Sequence, residues 1–272
     1  MTNLFFLVLF FVFGASVGSL ISVVVTRIRH NEKGIIMGRS QCPKCKKRLH
    51  WQHLVPVLSY ILLKGRCAHC SKDISKMYVA LEIITGAVFA FIFTQNNFFL
   101  GNSVHGLIQN STIEYGIFWT AIYQMLIYSI LILVFVYDYL YQEIPDLFSV
   151  PLIIIALLGT ILSGVPTLGS MLIGGLIGVG FFGGQYLISK GKWIGEGDIR
   201  LGFFMGVFLG WQLMLIAIVI SYLVGSIVSL FLLSNKKAKM SSEIAFGPFL
   251  IVGLFIAQFW GKAIVELYLG LY

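Results

Sequence analysis

The sequence predicts an all-α polytopic membrane protein of about eight transmembrane helices, with one small polar domain between the first two. Three observations carry this. Of 272 residues, 58% are hydrophobic and only 11% charged, where soluble domains carry about 25%. Mean hydropathy is +0.92. The apolar residues also gather into runs near the length that a lipid core demands, because a backbone in lipid must satisfy its own hydrogen bonds.

The runs are 4–25, 78–95, 116–137, 147–163, 168–189, 201–233 and 246–268. The first lacks a basic segment before it and carries its basic residues after it, which argues against a cleaved signal peptide. The 201–233 run is too long for one crossing: as a single helix it would measure about 50 Å against a core of about 30 Å. Arg200 precedes it and Lys236, Lys237 and Lys239 follow it. If basic residues stay on the inner side, the run crosses twice, with a turn near Gly210-Trp211-Gln212. That gives eight spans with both termini outside.

The same rule orients the loops. Arg27, Arg29, Lys33, Arg39, Lys44, Lys46, Lys47, Arg48, Lys64, Arg66, Lys72 and Lys76 fall in one loop, and Lys190, Lys192 and Arg200 in another. Lys236, Lys237 and Lys239 fall in a third on the same side, and only Lys262 falls elsewhere. The net charge of +8 and pI near 9.3 therefore report orientation and contact with anionic headgroups, and no nucleic-acid partner is expected. Residues 26–77 read as the cytoplasmic domain. Residues 96–115, holding Asn96, Asn97, Asn102 and Asn110 and no Lys or Arg, read as an outside loop. No sequence repeat is visible. Gly14/Gly18, Gly174/Gly178 and Gly202/Gly206 have the small-xxx-small spacing of closely packed helices. Gly178, Gly180 and Gly183 also match G-x-G-x-x-G, but inside an apolar span and without a preceding strand, so packing is the reading.

All four cysteines lie in the polar domain, as Cys42-PK-Cys45 and Cys67-AH-Cys70, with 21 residues between the pairs. Two C-x-x-C pairs just beyond the usual zinc-ribbon gap point to a tetrahedral Zn²⁺ held by four thiolates, making the domain zinc-ribbon-like. Two disulfides are the competing reading, and a reducing cytosolic face argues against it. Four thiolates close the shell, so the metal is structural and folds a segment too small to build its own core. His69 reads as a bystander.

Of 11 acidic residues, five occupy two short stretches: Asp138, Glu143 and Asp146, then Glu196 and Asp198. Asp146 reads as a helix cap and Glu143 as a solvated loop residue. Asp138 ends a span, where the helix dipole disfavours a carboxylate. Asp198 opens one, where free N–H groups favour an anion. If the two meet, the unlike helix ends separate their proton affinities, leaving one protonated and one ionised. That is the arrangement of an aspartic protease dyad, titrating as a coupled unit. Asp198 then serves as the base that activates water and Asp138 as the acid for the leaving amine. Gly195 and Gly197 either permit a close approach or take positive φ. The bland alternative is a flexible turn.

Gly195-Glu196-Gly197-Asp198 and Tyr137-Asp138 resemble the two motifs of G-x-G-D intramembrane aspartyl proteases. Within that group the chain resembles the type IV prepilin peptidases. Gly14-ASVGSLISVVVTRI is similar to the family's first-span signature. Cys42-PKC, Pro56-VLSYILLKGRCAHC and Ile74-SKMYVALE are similar to its cytoplasmic domain, Asp138-YLYQEIPD to its first catalytic motif, and Gly247-Pro248-Phe249 to its last-span signature. Arg29, Val79, Leu54 and Val55 stand where the family often has proline or polar residues.

The resemblance implies an endopeptidase of the bacterial inner (cytoplasmic) membrane. It would remove a short basic leader from type IV prepilins or pilin-like secretion or competence proteins at the cytoplasmic membrane face. It implies N-methylation of the new N-terminus by S-adenosylmethionine as a second activity, involving an N-terminal region of 1–95. A peptidase domain of 116–272 would follow. Glu82, an acid just inside an apolar span, is a candidate supporting residue; an interfacial, paired glutamate is the equal alternative. No nucleotide-binding motif marks a cofactor site. Glu143, Asp146 and Glu196 would attract the basic leader. The readings from other classes are an ion-coupled transporter using the two aspartates as proton sites, and a scaffold that binds pilin helices without cutting them.

Overall fold

The computed structural model describes residues 2–29, 40–42, 44–96, 111–235 and 244–270. Lys33, Arg39, Lys236, Lys237, Lys239 and most of the expected outside loop, 97–110, lie outside the described residues. The described chain is helical: α1 (Thr2–Arg29), a short 3-10 helix (Trp51–Leu54), α2 (Leu58–Leu62), α3 (Lys76–Gln95), α4 (Ser111–Tyr141), α5 (Asp146–Ser163), α6 (Leu168–Ser189), α7 (Glu196–Ser234) and α8 (Gly247–Leu269). Among the described residues, extended pairing is limited to the isolated bridges Gln41–Arg48 and Arg66–Asp73. All helices but α2 and the short 3-10 helix are long and apolar enough to cross a membrane, seven among the described residues. Two compact units divide within α4, at Leu133/Val134.

In the first unit α1 packs on α3 through glycine. A Cβ added at Gly14 would lie 2.7 Å from Phe89 Cβ and from the Thr85 carbonyl oxygen, and one at Gly18 2.9 Å from the Leu81 carbonyl. Phe10 and Phe93 stack above this contact with centroids 4.8 Å apart. The amide of Asn96, at the end of α3, donates to Gln124 of α4 at 2.9 Å. Between α1 and α3 lies the tetracysteine domain.

In the second unit α6 and α7 touch backbone to backbone, Gly174 on Gly206 and Gly178 on Gly202. The small-residue spacings therefore mark close helix contacts in each unit. Residues Leu215, Val219, Leu223, Ile227 and Leu230 are all exposed, a stripe at helical spacing that suits a hydrocarbon surround rather than water.

Gly210 divides α7. It takes φ 75° and ψ 170° inside an otherwise helical run, a region essentially restricted to glycine. The contacts show what the break does. Going from 202 to 206 to 211, the partners on α6 run 178, 174, 170. After the break the order reverses: Tyr222 stacks edge-on with Phe181 and donates to Gln185 at 2.8 Å. The chain thus folds back at Gly210, and its second segment runs antiparallel to α8, Gly261 meeting Leu213 and Gly253 meeting Ser221. The turn expected near Gly210-Trp211-Gln212 is this one, and the long run is two segments.

Candidate active site and tetracysteine centre

The end of α4, the loop after it and the start of α7 build one cavity in the second unit, and a third helix end lies against one of its carboxyls. Asp138 stands in the last turn of α4, and its carbonyl accepts from Gln142 N at 2.8 Å as the helix closes. Asp198 is the third residue of α7, and Gly195 N–H donates to its Oδ2 at 3.1 Å, satisfying a donor the helix start leaves over. Both carboxylates are buried, Asp138 at 5% and Asp198 at 9% exposure. Both line a cavity of about 450 Å³, together with Tyr137, Glu143, Ile144, Gly195, Gly197 and Arg200. One Asp138 oxygen, Oδ2, is buried with no hydrogen-bond partner. Such an atom is costly unless something else in the site, a water or a substrate, completes it.

The third helix end is the start of α8. Gly247 brings its backbone N–H to the Asp138 carboxyl, and a Cβ at 247 would lie 2.5 Å from Asp138 Oδ2. The unfavourable helix end expected for Asp138 is thereby offset by the positive end of another helix. Reading the sequence singled out Gly247 only as part of a motif. The signal that could have placed it is the glycine-proline pair opening an apolar run, since proline is favoured at a helix start.

The two motif glycines differ. Gly197 packs on the loop after α4: a Cβ there would lie 2.6 Å from Ile144 Cβ. Gly195 has φ −82° and ψ 160°, open to any residue, and a Cβ there makes ordinary contact, 3.7 Å from Asp198 Oδ2. Neither takes positive φ, so of the two options close approach applies, and only at Gly197.

Arg200 joins the same two elements. It forms an ion pair with Asp146 and donates to the Ile144 carbonyl at 3.4 Å. Asp146 is therefore not the cap of α5. That position is held by Pro145, without a side-chain cap bond, because the Asp146 carboxylate is engaged across the loop. Glu143 is exposed, and Glu196 accepts from the Tyr186 hydroxyl at 3.0 Å.

In the first unit Cys42, Cys45, Cys67 and Cys70 bring their sulfurs within 4.8 Å of one another. All four are free thiols. A tetrahedron with metal–sulfur bonds of about 2.3 Å puts its sulfurs about 3.8 Å apart, and Cys42 Sγ and Cys70 Sγ are 4.0 Å apart. The donor set fits a zinc ion. Each pair sits on the same turn. Lys46 N bonds Cys42 O and Cys42 N bonds Lys47 O; Ser71 N bonds Cys67 O and Cys67 N bonds Lys72 O. Lys46 and Ser71 take φ 57° and 54°, and each turn is closed by its own bridge. The domain is thus a duplicated knuckle, a repeat of backbone that residue identities conceal beyond the cysteines. The His69 N–H reaches Cys67 Sγ at 3.5 Å, and this bond, with a second from Cys70 N–H, holds the Cys67 thiol down to about 6. His69 takes its place through its backbone; its ring lies edge-on to His53 at 5.9 Å.

Glu82 faces a separate cavity of the first unit and accepts from Val57 N–H at 2.8 Å.

Two family models cover most of the chain. Residues 12–96 match the bacterial peptidase A24 N-terminal domain, and residues 125–230 match the type IV leader peptidase family. The chain belongs to the type IV leader peptidase family. Similar curated members are named prepilin leader peptidase/N-methyltransferase. One from Aeromonas salmonicida (strain A449) is 29% identical over 240 residues, 87% of this chain and 76% of that protein. One from Bacillus subtilis (strain 168) is 28% identical over 262 residues, 95% and 96% of the two chains. One from Aeromonas hydrophila is 26% identical over 288 residues, 96% and 93%. No solved structure matches. Asp138, Asp198 and the four cysteines all fall within the matched family segments.

Proposed function

We propose that this multi-pass membrane protein is an aspartyl endopeptidase that removes the short basic leader of type IV prepilins or pilin-like proteins, and then methylates the new N-terminus with S-adenosylmethionine. The relatives' names supply both activities. The observation that carries the peptidase reading is the pair of buried aspartates lining one cavity, with an unpartnered Asp138 oxygen.

Two carboxyls in one buried site favour sharing a proton. The ionised member takes a proton from water as that water attacks the scissile carbonyl. The protonated member gives its proton to the departing amine. Asp198, bonded by Gly195 N–H, is the base in this scheme and Asp138 the acid. Since Gly247 N–H brings a second helix start to Asp138, the helix-end contrast behind that assignment is smaller than the sequence implied, and the roles are exchangeable through the catalytic cycle.

The tetracysteine centre holds a structural zinc. The N-terminal region, 1–95, carries the methyltransferase part and 116–272 the peptidase part. The protein resides in the bacterial inner membrane with the dyad at its cytoplasmic face, where a leader attached to a hydrophobic helix is accessible. Glu143, Asp146 and Glu196 line the dyad's cavity and would attract the leader. An ion-coupled transporter finds no support in the family.

The test is incubation of purified protein with a precursor peptide, followed by mass measurement. Asp138→Asn and Asp198→Asn should each remove cleavage by at least about 10²–10⁴-fold while the protein stays folded. Cleavage that survives either change overturns the mechanism.

A further inference from the structure

The polar domain between α1 and α3 carries one element built inside out. In α2, Leu58, Ile61 and Leu62 recur at i, i+3 and i+4 and so share one face. That face points outward: Leu58 is 59%, Ile61 63% and Leu62 79% exposed. The opposite face holds Ser59, Tyr60 and Leu63, which line the cavity of this unit. The adjoining 3-10 helix adds Trp51, 74% exposed. A segment surrounded by water turns its serine outward and its leucines inward, because apolar surface left in water is unfavourable. Lone exposed leucines are ordinary, but a contiguous apolar face marks a surface that something covers.

Depth, continuity and charge identify what covers it. Val57 N–H, at the start of α2, donates to Glu82 Oε2 at 2.8 Å. Glu82 lies six residues after Lys76, the first residue of α3, about 9 Å along that helix, and helical side chains lean back toward the helix start. The start of α2 is therefore level with the first two turns of a helix long and apolar enough to span a membrane. Ile83 and Ile84 follow Glu82 directly and are exposed on α3, where lipid is the surround that an apolar span requires. Around α2 the charge is of one sign. Residues 26–77 contain twelve Lys and Arg against two acids, Glu32 and Asp73. Lys64 follows α2, and Lys47 and Arg48 precede the 3-10 helix, all three exposed.

We propose that α2 lies in the membrane surface as an interfacial anchor, with Leu58, Ile61 and Leu62 in the acyl boundary and the surrounding cations on anionic lipid headgroups. Interfacial helices bury an apolar face about 5–10 Å into that boundary, and basic residues beside them add attraction to anionic lipid. The depth set by the Val57–Glu82 bond falls in this range. With five residues, α2 is too short to hold a membrane from solution, but α1 and α3 already keep it there. Its role is to fix the orientation of the tetracysteine domain against the bilayer, not to recruit the protein. The anchor is independent of both the peptidase and the methyltransferase activities.

The test puts one fluorescent reporter on that face. In the full-length protein with Trp51, Trp119, Trp193, Trp211 and Trp260 replaced by Phe, Leu62→Trp introduces a single tryptophan. The protein is reconstituted in nanodiscs of phosphatidylglycerol and phosphatidylcholine, with or without bromine on the acyl chains, and zinc content reports that the domain is folded. Brominated lipid should quench the fluorescence, more strongly with bromine near the headgroup end of the chain than at its tip, while acrylamide in the water quenches it little. Adding Leu58→Asp and Ile61→Asp, both at exposed positions, should reverse the two results. Nanodiscs of phosphatidylcholine alone should weaken the bromine quenching. A reporter quenched by acrylamide and not by bromine overturns the proposal. So does one shielded from both, which would put protein, a second copy or a precursor helix, on that face. Bromine quenching that is the same with and without phosphatidylglycerol overturns the part given to the cations.

Discussion

Gly247 lies against Asp138 so closely that a Cβ at 247 would come within 2.5 Å of Asp138 Oδ2. The start of α8 is therefore part of the aspartate site, delivering a backbone N–H where the end of α4 has none to give. Gly247→Ala should force the carboxyl aside. A misplacement of about 1 Å can cost about 10²-fold in rate, so kcat should fall by one to two orders of magnitude with the fold retained. Steady-state cleavage kinetics check this, and a kcat near wild type would show that Asp138 tolerates displacement.

The motif glycines should respond unequally. Gly195→Ala meets only ordinary contact and an unstrained backbone. It should cost about 1 kcal/mol or less of stability, as alanine is a poorer cap than glycine. Gly197→Ala drives a methyl into Ile144, and should separate the loop after α4 from the start of α7, with a loss of activity like that of Gly247→Ala. Equal effects at 195 and 197 would contradict the packing argument.

Arg200 is a second bond between that loop and α7. Asp146 is largely exposed, so its ion pair contributes at most about 1 kcal/mol, and Asp146→Asn should leave thermal stability nearly unchanged. Arg200→Met also removes the bond to Ile144 O. It should lower activity well beyond what Asp146→Asn does. The ratio of the two kcat/KM values is the measurement.

The tetracysteine centre should take up zinc with release of protons. Cys67 is held down to about 6, chiefly by the His69 N–H, so near neutral pH it is already mostly thiolate. At Cys70 the Lys72 N–H pulls the thiol down, but desolvation and the neighbouring thiols outweigh it and push it up to about 11. Zinc needs both as thiolates. Binding must therefore expel at least the Cys70 proton, and affinity should rise with pH by about tenfold per unit for each proton released. Competition titrations against a chelator from pH 6 to 8 test this; a flat profile would exclude it. Stripping the metal should unfold 40–75, seen as protease sensitivity confined to that segment.

Much of this was legible in the sequence because its strongest signals are physical. Runs of apolar residues specify spans, paired C-x-x-C specifies four converging thiols, and lone acids at span ends stand out against a lipid-compatible background. Gly14, Gly18, Gly174, Gly178, Gly202 and Gly206 were recognisable as packing glycines by spacing alone. What was not legible depends on pairing between distant segments. Nothing local to Asp146 says that Arg200 will take it from its helix, and nothing local to Gly247 says that it faces Asp138. The knuckle repeat was hidden because backbone turns can recur with different side chains. Val57 takes φ 62° and ψ −51° in a tight turn closed by Leu58 N–H donating to the Pro56 carbonyl at 2.6 Å, while its own N–H goes to the distant Glu82 carboxylate.

The fold-back at Gly210 gives the last prediction. If the chain reverses there, positions near 200 and 222 share one side of the membrane and position 211 faces the other. Tyr222 lies level with Phe181 and Gln185 on α6, while Trp211 lies at Ser170 near the opposite end of that helix. Trp211→Cys in intact cells should react with a membrane-impermeant maleimide from the outside, while a cysteine at 235 should not. The native thiols, when zinc-bound, supply the unreactive background, and the wild type is the control. Gly210→Ala should destabilise the protein by about 1–3 kcal/mol, since φ 75° with ψ 170° is closed to a Cβ and the added methyl would meet Ser170 Oγ. Labelling at 235 from outside, with none at 211, would instead require a single crossing and would leave the reversed order of α6 contacts without a cause.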